Sequence, residues 1–174
     1  MQFRKIALAL GVAAVTVPAI AQETKPIGIS VKAGLFEPSA RAARDEGKQW
    51  FIAGVEYRLQ DVRVDATNPS YTAHLSVTVD YFQKGDMGAT PILLNYVGRI
   101  NEWYYTAGAG ISFNRDYSIK ADERETNNTS RFAFALRLGY DFQHRRTPLF
   151  VEGAYFGNNN DRLNGFALMV GIRL

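Results

Sequence analysis

Cysteine is absent from all 174 residues, so no disulfide staples this chain and no thiolate holds a metal. A patch of one charge sign is missing too: 20 Lys and Arg stand against 17 Asp and Glu, a formal net charge of +3. The densest basic run, His144-Arg145-Arg146, sits beside Thr147-Pro148 and reads as a turn. That leaves no electrostatic footprint for nucleic acid. From Ile27 onward no stretch keeps a 3.6-residue period over three turns, which argues against helices as the main element. The apolar run Ile6 to Val17 falls short of the ~20 residues a membrane-spanning helix needs. Neither a linker nor a low-complexity segment divides the chain.

What is present begins with an export layout. A basic Met1-Gln2-Phe3-Arg4-Lys5 precedes the apolar run, and Pro18-Ala19-Ile20-Ala21-Gln22 supplies an A-x-A cleavage site. Residues 1–21 are therefore expected to be a signal peptide removed after Ala21, leaving 22–174 as one domain. Arg4 and Lys5 leave with it, so the mature part carries 18 bases against 17 acids. Much of the high pI belongs to the export signal.

Two-residue alternation dominates the remainder, and it yields eight candidate strands, since a strand places residues i, i+2 and i+4 on one face. The first sets Ile27, Ile29, Val31, Ala33 and Leu35 against Gly28, Ser30, Lys32 and Gly34. The second sets Phe51, Ala53, Val55, Tyr57 and Leu59 against Ile52, Gly54, Glu56 and Arg58. The third, from Tyr71 to Tyr81, alternates most cleanly, whereas the fourth, near Ile92 to Ile100, has mixed parity with Ile92, Leu94 and Tyr96 on its apolar face. The fifth runs Trp103, Tyr105, Ala107, Ala109, Ile111 and Phe113; the sixth Phe132, Phe134, Leu136, Leu138, Tyr140 and Phe142. Leu149, Val151 and Tyr155 mark the seventh, and Phe166, Leu168, Val170, Ile172 and Leu174 the eighth.

The face opposite these bulky residues decides the environment. In a soluble sandwich it should carry long charged side chains that meet water. Here it is mostly Gly, Ala, Ser and Thr with a few charges, which suits the narrow polar lumen of a barrel whose bulky side faces lipid. Strand lengths of about 9 to 11 residues agree with a membrane crossing. With both termini in the periplasm, Glu37 to Gln49 and Arg115 to Ser130 become long outer loops, while the turns near Asn101 and His144 lie at the other end. Gln60 to Ser70 is a long periplasmic turn on this threading. The aromatics sort into a lower belt of Tyr57, Tyr71, Tyr96, Trp103 and Tyr140 and an upper one of Phe51, Tyr81, Phe113, Phe132, Tyr155 and Phe166, as rings at headgroup level would.

Taken over residues 27 to 174, this pattern resembles the small outer-membrane barrels, the group that includes the OmpA membrane domain and OmpX. The most specific piece is Phe166-Ala167-Leu168-Met169-Val170-Gly171-Ile172-Arg173-Leu174, similar to the alternating C-terminal signal these proteins present to their insertion machinery; the family usually ends on an aromatic residue, and this chain ends on Leu174. The fold expected is an all-β, eight-stranded, antiparallel, up-and-down transmembrane β-barrel.

The candidate site is the set of lumen-facing ionisable residues: Lys32, Glu56, Arg58, Asp80, Glu102, Arg137, Asp141, Glu152 and Arg173. Lys32, Glu56, Arg137 and Glu152 fall near one height and are expected to form a paired network, because unpaired burial of charge is costly. Eight strands enclose an interior about wide enough for side chains alone. The reading is thus a non-enzymatic, structural or surface-exposed outer-membrane barrel with a filled lumen, no open pore and no cofactor. It is expected to be a monomer in outer-membrane lipid and lipopolysaccharide, inserted through its last strand by the barrel-insertion machinery. A loop ligand of unknown kind would meet Ala40 to Lys48 or Lys120 to Ser130.

Three alternatives differ in class. One is a narrow gated pore for small solutes in which the lumen pairs exchange partners. Another is a soluble periplasmic barrel of lipocalin type, with the bulky face turned inward around a ligand. The most distant is lipid A acyl hydrolysis, because His74-Leu75-Ser76 places a base and a nucleophile on one face and looks like the deacylase barrels of the PagL kind. That resemblance lacks the family's asparagine, replaced here by Val77, and no acid is evident in sequence to orient His74. The Asn-rich Gly157-Asn158-Asn159-Asn160-Asp161 is expected to be a turn using positive φ.

Overall fold

Alternation over strands of this length closes into a ring. The computed structural model describes residues 28–62, 71–120, 123–144 and 147–174. The strands are β1 (Ile29–Pro38), β2 (Trp50–Val62), β3 (Tyr71–Lys84), β4 (Met87–Ile100), β5 (Trp103–Lys120), β6 (Glu123–His144), β7 (Thr147–Asn158) and β8 (Gly165–Arg173). Each pairs antiparallel with its sequence neighbour, and β1 pairs with β8, giving a closed barrel in the order β1 to β8. Closure leaves no free edge in the barrel wall. The last residue takes part: Leu174 N–H donates to Ile29 C=O at 2.7 Å, and Gly28 N–H donates to Leu174 C=O at 3.2 Å. The expected cleavage site and Ile27 lie outside the described residues, as do residues 63–70 of the expected long turn.

All eight parities come out as the pattern predicts. Bulky residues point outward and lie exposed, among them Phe51, Trp103, Leu138, Phe166 and Leu168, while Ser76, Thr78, Gly108 and Ala135 face the buried interior. This excludes the lipocalin-type alternative, which needs the bulky face inside. No helix among the described residues is long and apolar enough to cross a membrane. On β5, Trp103 and Phe113 stand ten residues apart. At ~3.4 Å per residue and a tilt of ~40°, that places the two aromatic levels ~25 Å apart, the height of an outer-membrane apolar band.

Two irregularities interrupt the ladders. The β2–β3 register shifts between Arg58 and Gln60, a bulge near the periplasmic rim. The β3–β4 ladder lapses between Val79↔Ile92 and Phe82↔Ala89, where Pro91 has no N–H to donate.

The outer connections depart from expectation. Arg115 to Ser130, read as a loop, is mostly ladder: β5 and β6 stay paired from Arg115↔Asn128 to Lys120↔Glu123. Apolar alternation stops above Phe113 because this ribbon stands beyond the aromatic belt, where neither face needs to be apolar; the backbone pairing continues without it. Glu37 to Gln49 contains a short helix, α1 (Arg41–Glu46), with Ala43 buried against the barrel top. The Asn-rich turn does not use positive φ, which among described non-glycine residues occurs only at Asn101. Its asparagines act through their side chains: Asn158 N–H donates to Asn164 Oδ1 (2.6 Å), and Asn160 N–H to Asn158 Oδ1 (2.9 Å). They lead into a single 3-10 turn, Asp161–Leu163, whose Leu163 is buried.

Candidate functional site in the barrel lumen

Inside the barrel the side chains form layers. At mid-height, Lys32 Nζ donates to Glu152 Oε1 at 2.8 Å and lies 3.8 Å from Asp80 Oδ1. Arg137 Nη2 donates to Asp80 Oδ2 at 2.6 Å, while its Nε lies 3.6 Å from Glu152 Oε1. Two cations thus share two anions, and their side chains are 0 to 1% exposed. Neutral groups add hydrogen bonds, while Asp80 Oδ1 and Arg137 Nε keep only their ion-pair contacts. Arg137 Nη1 donates to Asn95 Oδ1 (3.2 Å), its Nη2 to Thr78 Oγ1 (3.2 Å), and Tyr104 O–H to Glu152 Oε2 (3.1 Å).

Missing side chains make this layer possible. The ladder runs Lys32↔Gly54↔Asp80, so the cation and the anion sit two strands apart with a glycine on the strand between them. A Cβ on Gly54 would lie 2.1 Å from Asp80 Oδ1 and 3.2 Å from Lys32 Cε. The same device recurs at Tyr104↔Gly139↔Glu152, where a Cβ on Gly139 would lie 2.1 Å from the Tyr104 ring. Long side chains reach across the gaps that glycines leave, and charges two strands apart meet.

Toward the periplasm a second layer holds Arg99, Asp141 and Arg173. Asp141 pairs with Arg99 and accepts from Arg173 Nε at 2.9 Å. The Arg173 guanidinium lies 4.8 Å from the Tyr104 ring centre and 4.7 Å from that of Phe150, favourable cation–π positions. His74 Nε2 sits 4.0 Å from Glu56 Oε1, both buried. Toward the outside the lumen is apolar: Phe36, Trp50, Phe82 and Phe156 cluster with Ile52, Met87, Leu93 and Met169. Phe36 and Phe82 stack with centroids 4.2 Å apart, and Leu163 with Ala43 of α1 joins this cluster from above.

No protein-family model matches the chain, and no curated protein does. Solved structures do. The N-terminal β-barrel domain of Pseudomonas aeruginosa OprF matches with a TM-score of 0.54 at 10% identity, covering 86% of this chain and 100% of its own. The outer membrane enzyme PagL matches with a TM-score of 0.51 at 13% identity, covering 83% and 99%. The Yersinia pestis outer membrane protein Ail gives 0.49 at 15% identity, covering 84% and 98%. The fold is that of the small outer-membrane barrels.

Within the barrel the residues singled out from sequence separate into three groups. Lys32, Asp80, Arg137 and Glu152 meet at mid-height, and Asp141 and Arg173 meet below them. Glu56, expected at the height of Lys32, is one pleat lower; it pairs in register with Ser30 and faces His74. Asp80 occupies the place that reading gave to Glu56. Arg58 and Glu102 lie at the periplasmic end and join neither layer. Arg58 keeps its place in the ladder opposite the buried Ser76 but stands at the open periplasmic mouth, where it pairs with Asp61, its side chain 48% exposed. Glu102 stands in the β4–β5 turn after Asn101, with its carbonyl accepting from Asp141 N–H at 2.9 Å.

Sequence reasoning missed Arg99 and the whole apolar outer layer. Arg99 was hidden by the mixed parity of β4, where Leu93 and Val97 also face inward. That double-sided apolar stretch was itself the available signal for an apolar lumen. The pair His74 and Ser76 faces the lumen and is buried. Glu56 supplies the nearby acid that the sequence did not reveal, and Ser76 Oγ accepts from Asn95 Nδ2 at 3.4 Å.

Proposed function

We propose that this chain is a closed, integral outer-membrane barrel whose role is structural or surface-presenting, with no continuous solute path. The supporting observation is the lumen's filling: a four-charge layer with no surface open to solvent lies under a packed aromatic layer. Burial of His74 and Ser76 on the lumen side supports a non-enzymatic reading, since acyl chains in the bilayer would meet the opposite face of β3. The barrel takes no cofactor, stands as a monomer in phospholipid and lipopolysaccharide, and is inserted through β8. Its projecting β5–β6 ribbon and α1 are the surfaces offered to any outside ligand.

The test is reconstitution of the mature chain in planar bilayers after heat-modifiable gel migration has confirmed a folded barrel. No discrete conductance steps are expected; steady unitary steps from the unmodified protein would sink the closed reading, and altered lipid A mass in expressing cells would sink the non-enzymatic one. One observation favours a second reading, a narrow gated pore: Lys32 and Arg137 each reach both carboxylates, so partners can exchange without stranding a charge. Steps that appear and change in Arg137→Ala or Asp80→Ala would support that reading.

A further inference from the structure

The lipid-facing surface is not uniformly bulky. Along β5 the outward residues run Trp103, Tyr105, Ala107, Ala109, Ile111, Phe113, so two methyl groups interrupt a row of large side chains. The register flanks this dip with Tyr96 and Leu94 of β4 on one side and Leu136 and Phe134 of β6 on the other. Together they line an open cavity of about 400 Å³, within the ~300–1,000 Å³ range of small-molecule sites. The dip lies inside the apolar band and is continuous with the surface that faces hydrocarbon.

Its periplasmic end is polar. Tyr71 O–H lies 2.8 Å from the Tyr96 hydroxyl and 2.8 Å from that of Tyr105. Tyr105 is held flat over Gly98, where a Cβ would fall 2.3 Å from its ring. Three hydroxyls bring three protons, and two mutual hydrogen bonds use two of them, so one donor is left to point at an acceptor. An acyl ester at headgroup level is acceptor-only and sits at the depth where tyrosines concentrate.

We propose that this groove binds one diacyl phospholipid of the periplasmic leaflet, an acyl chain lying on Ala107 and Ala109 and the ester oxygens meeting the tyrosine hydroxyls. The proposal rests on the reading of this face as lipid contact. A flexible chain reaches the floor of a furrow one strand wide. A second convex barrel touches only its walls, which argues against a dimer seam.

The experiment uses the mature protein in nanodiscs of phosphatidylethanolamine and phosphatidylglycerol, followed by gentle release and native mass spectrometry. One retained phospholipid per barrel is expected. Retention should fall about tenfold in Ala107→Leu/Ala109→Leu, because filling the furrow removes most of the chain's buried contact. It should fall about threefold in Tyr71→Phe/Tyr96→Phe/Tyr105→Phe, by loss of the ester's donor. Ala53→Leu, on the lipid face of β2, should match the unmodified protein. The proposal is overturned if no lipid is retained, if the filled-groove or tyrosine variants retain as much as the unmodified barrel, or if Ala53→Leu loses as much as they do. Dimers in place of lipid adducts, or displacement by added lipid A, overturn it as well. Loss of heat-modifiable migration in the unmodified protein would instead refute the membrane barrel itself, which keeps the two failures apart.

Discussion

The two halves of the lumen solve one problem by opposite means. The outer half is filled by Phe36, Trp50, Phe82, Phe156 and their aliphatic neighbours; the lower half is filled by Lys32, Asp80, Arg137, Glu152, Arg99, Asp141 and Arg173. The apolar half depends on shape, and a small loss of volume is tolerated in proportion to the cavity left. The ionic half depends on completeness, because each charge is tolerable only while its partners remain. A plug of the first kind fails gradually, and one of the second kind fails abruptly.

That contrast can be broken most severely at Arg137. Arg137→Ala leaves Asp80 and Glu152 sharing Lys32 alone, and the barrel should lose about 3–5 kcal/mol, the cost of an uncompensated buried charge. The midpoint of heat-modifiable unfolding in micelles measures it. Next in size, Gly54→Ala pushes a methyl group to within 2.1 Å of Asp80 Oδ1, and overpacking of this kind should cost about 1–3 kcal/mol. The matched control is Gly153→Ala, whose added Cβ meets nothing nearer than 3.9 Å; its unfolding midpoint should stay close to that of the parent. In the outer half, Phe36→Leu keeps the layer apolar and should cost about 1–1.5 kcal/mol, a graded effect beside that of Arg137→Ala. Smallest of all, Arg58→Ala removes an exposed rim pair with Asp61 and should move stability by less than about 1 kcal/mol. If Arg58→Ala matched Arg137→Ala in size, the distinction between a sealed network and surface charge would collapse.

Parity made the barrel legible in sequence, since a period of two fixes which face each residue takes whatever its neighbours do. Trp103 to Phe113 and Phe132 to Phe142 could be assigned to lipid on that ground alone. Height around the ring is a different quantity. It depends on how adjacent strands slip past one another, and parity carries no record of slip. Lys32, Arg137 and Glu152 were placed together from sequence; Glu56 was placed with them although Ser30, not Lys32, is its ladder partner. Asp80 took that position through Gly54, a contact visible only once two registers are known. Arg58 has lumen parity, opposite Ser76, but its exposure at the periplasmic mouth is again a matter of height, which parity does not record. The apolar outer layer escaped because Phe36, Trp50 and Phe82 lie at strand ends, where alternation has too few residues to declare a face. PagL remains the instructive neighbour, an enzyme on this fold, since fold alone does not choose an activity.

The charge count of the central layer has an electrical consequence. A potential across a bilayer does work of ~2.3 kcal/mol per elementary charge per 100 mV on whatever net charge it displaces. Lys32 and Arg137 cancel Asp80 and Glu152, so the layer displaced as a unit gives the field nothing to act on. An applied voltage finds no lever at the centre of this barrel.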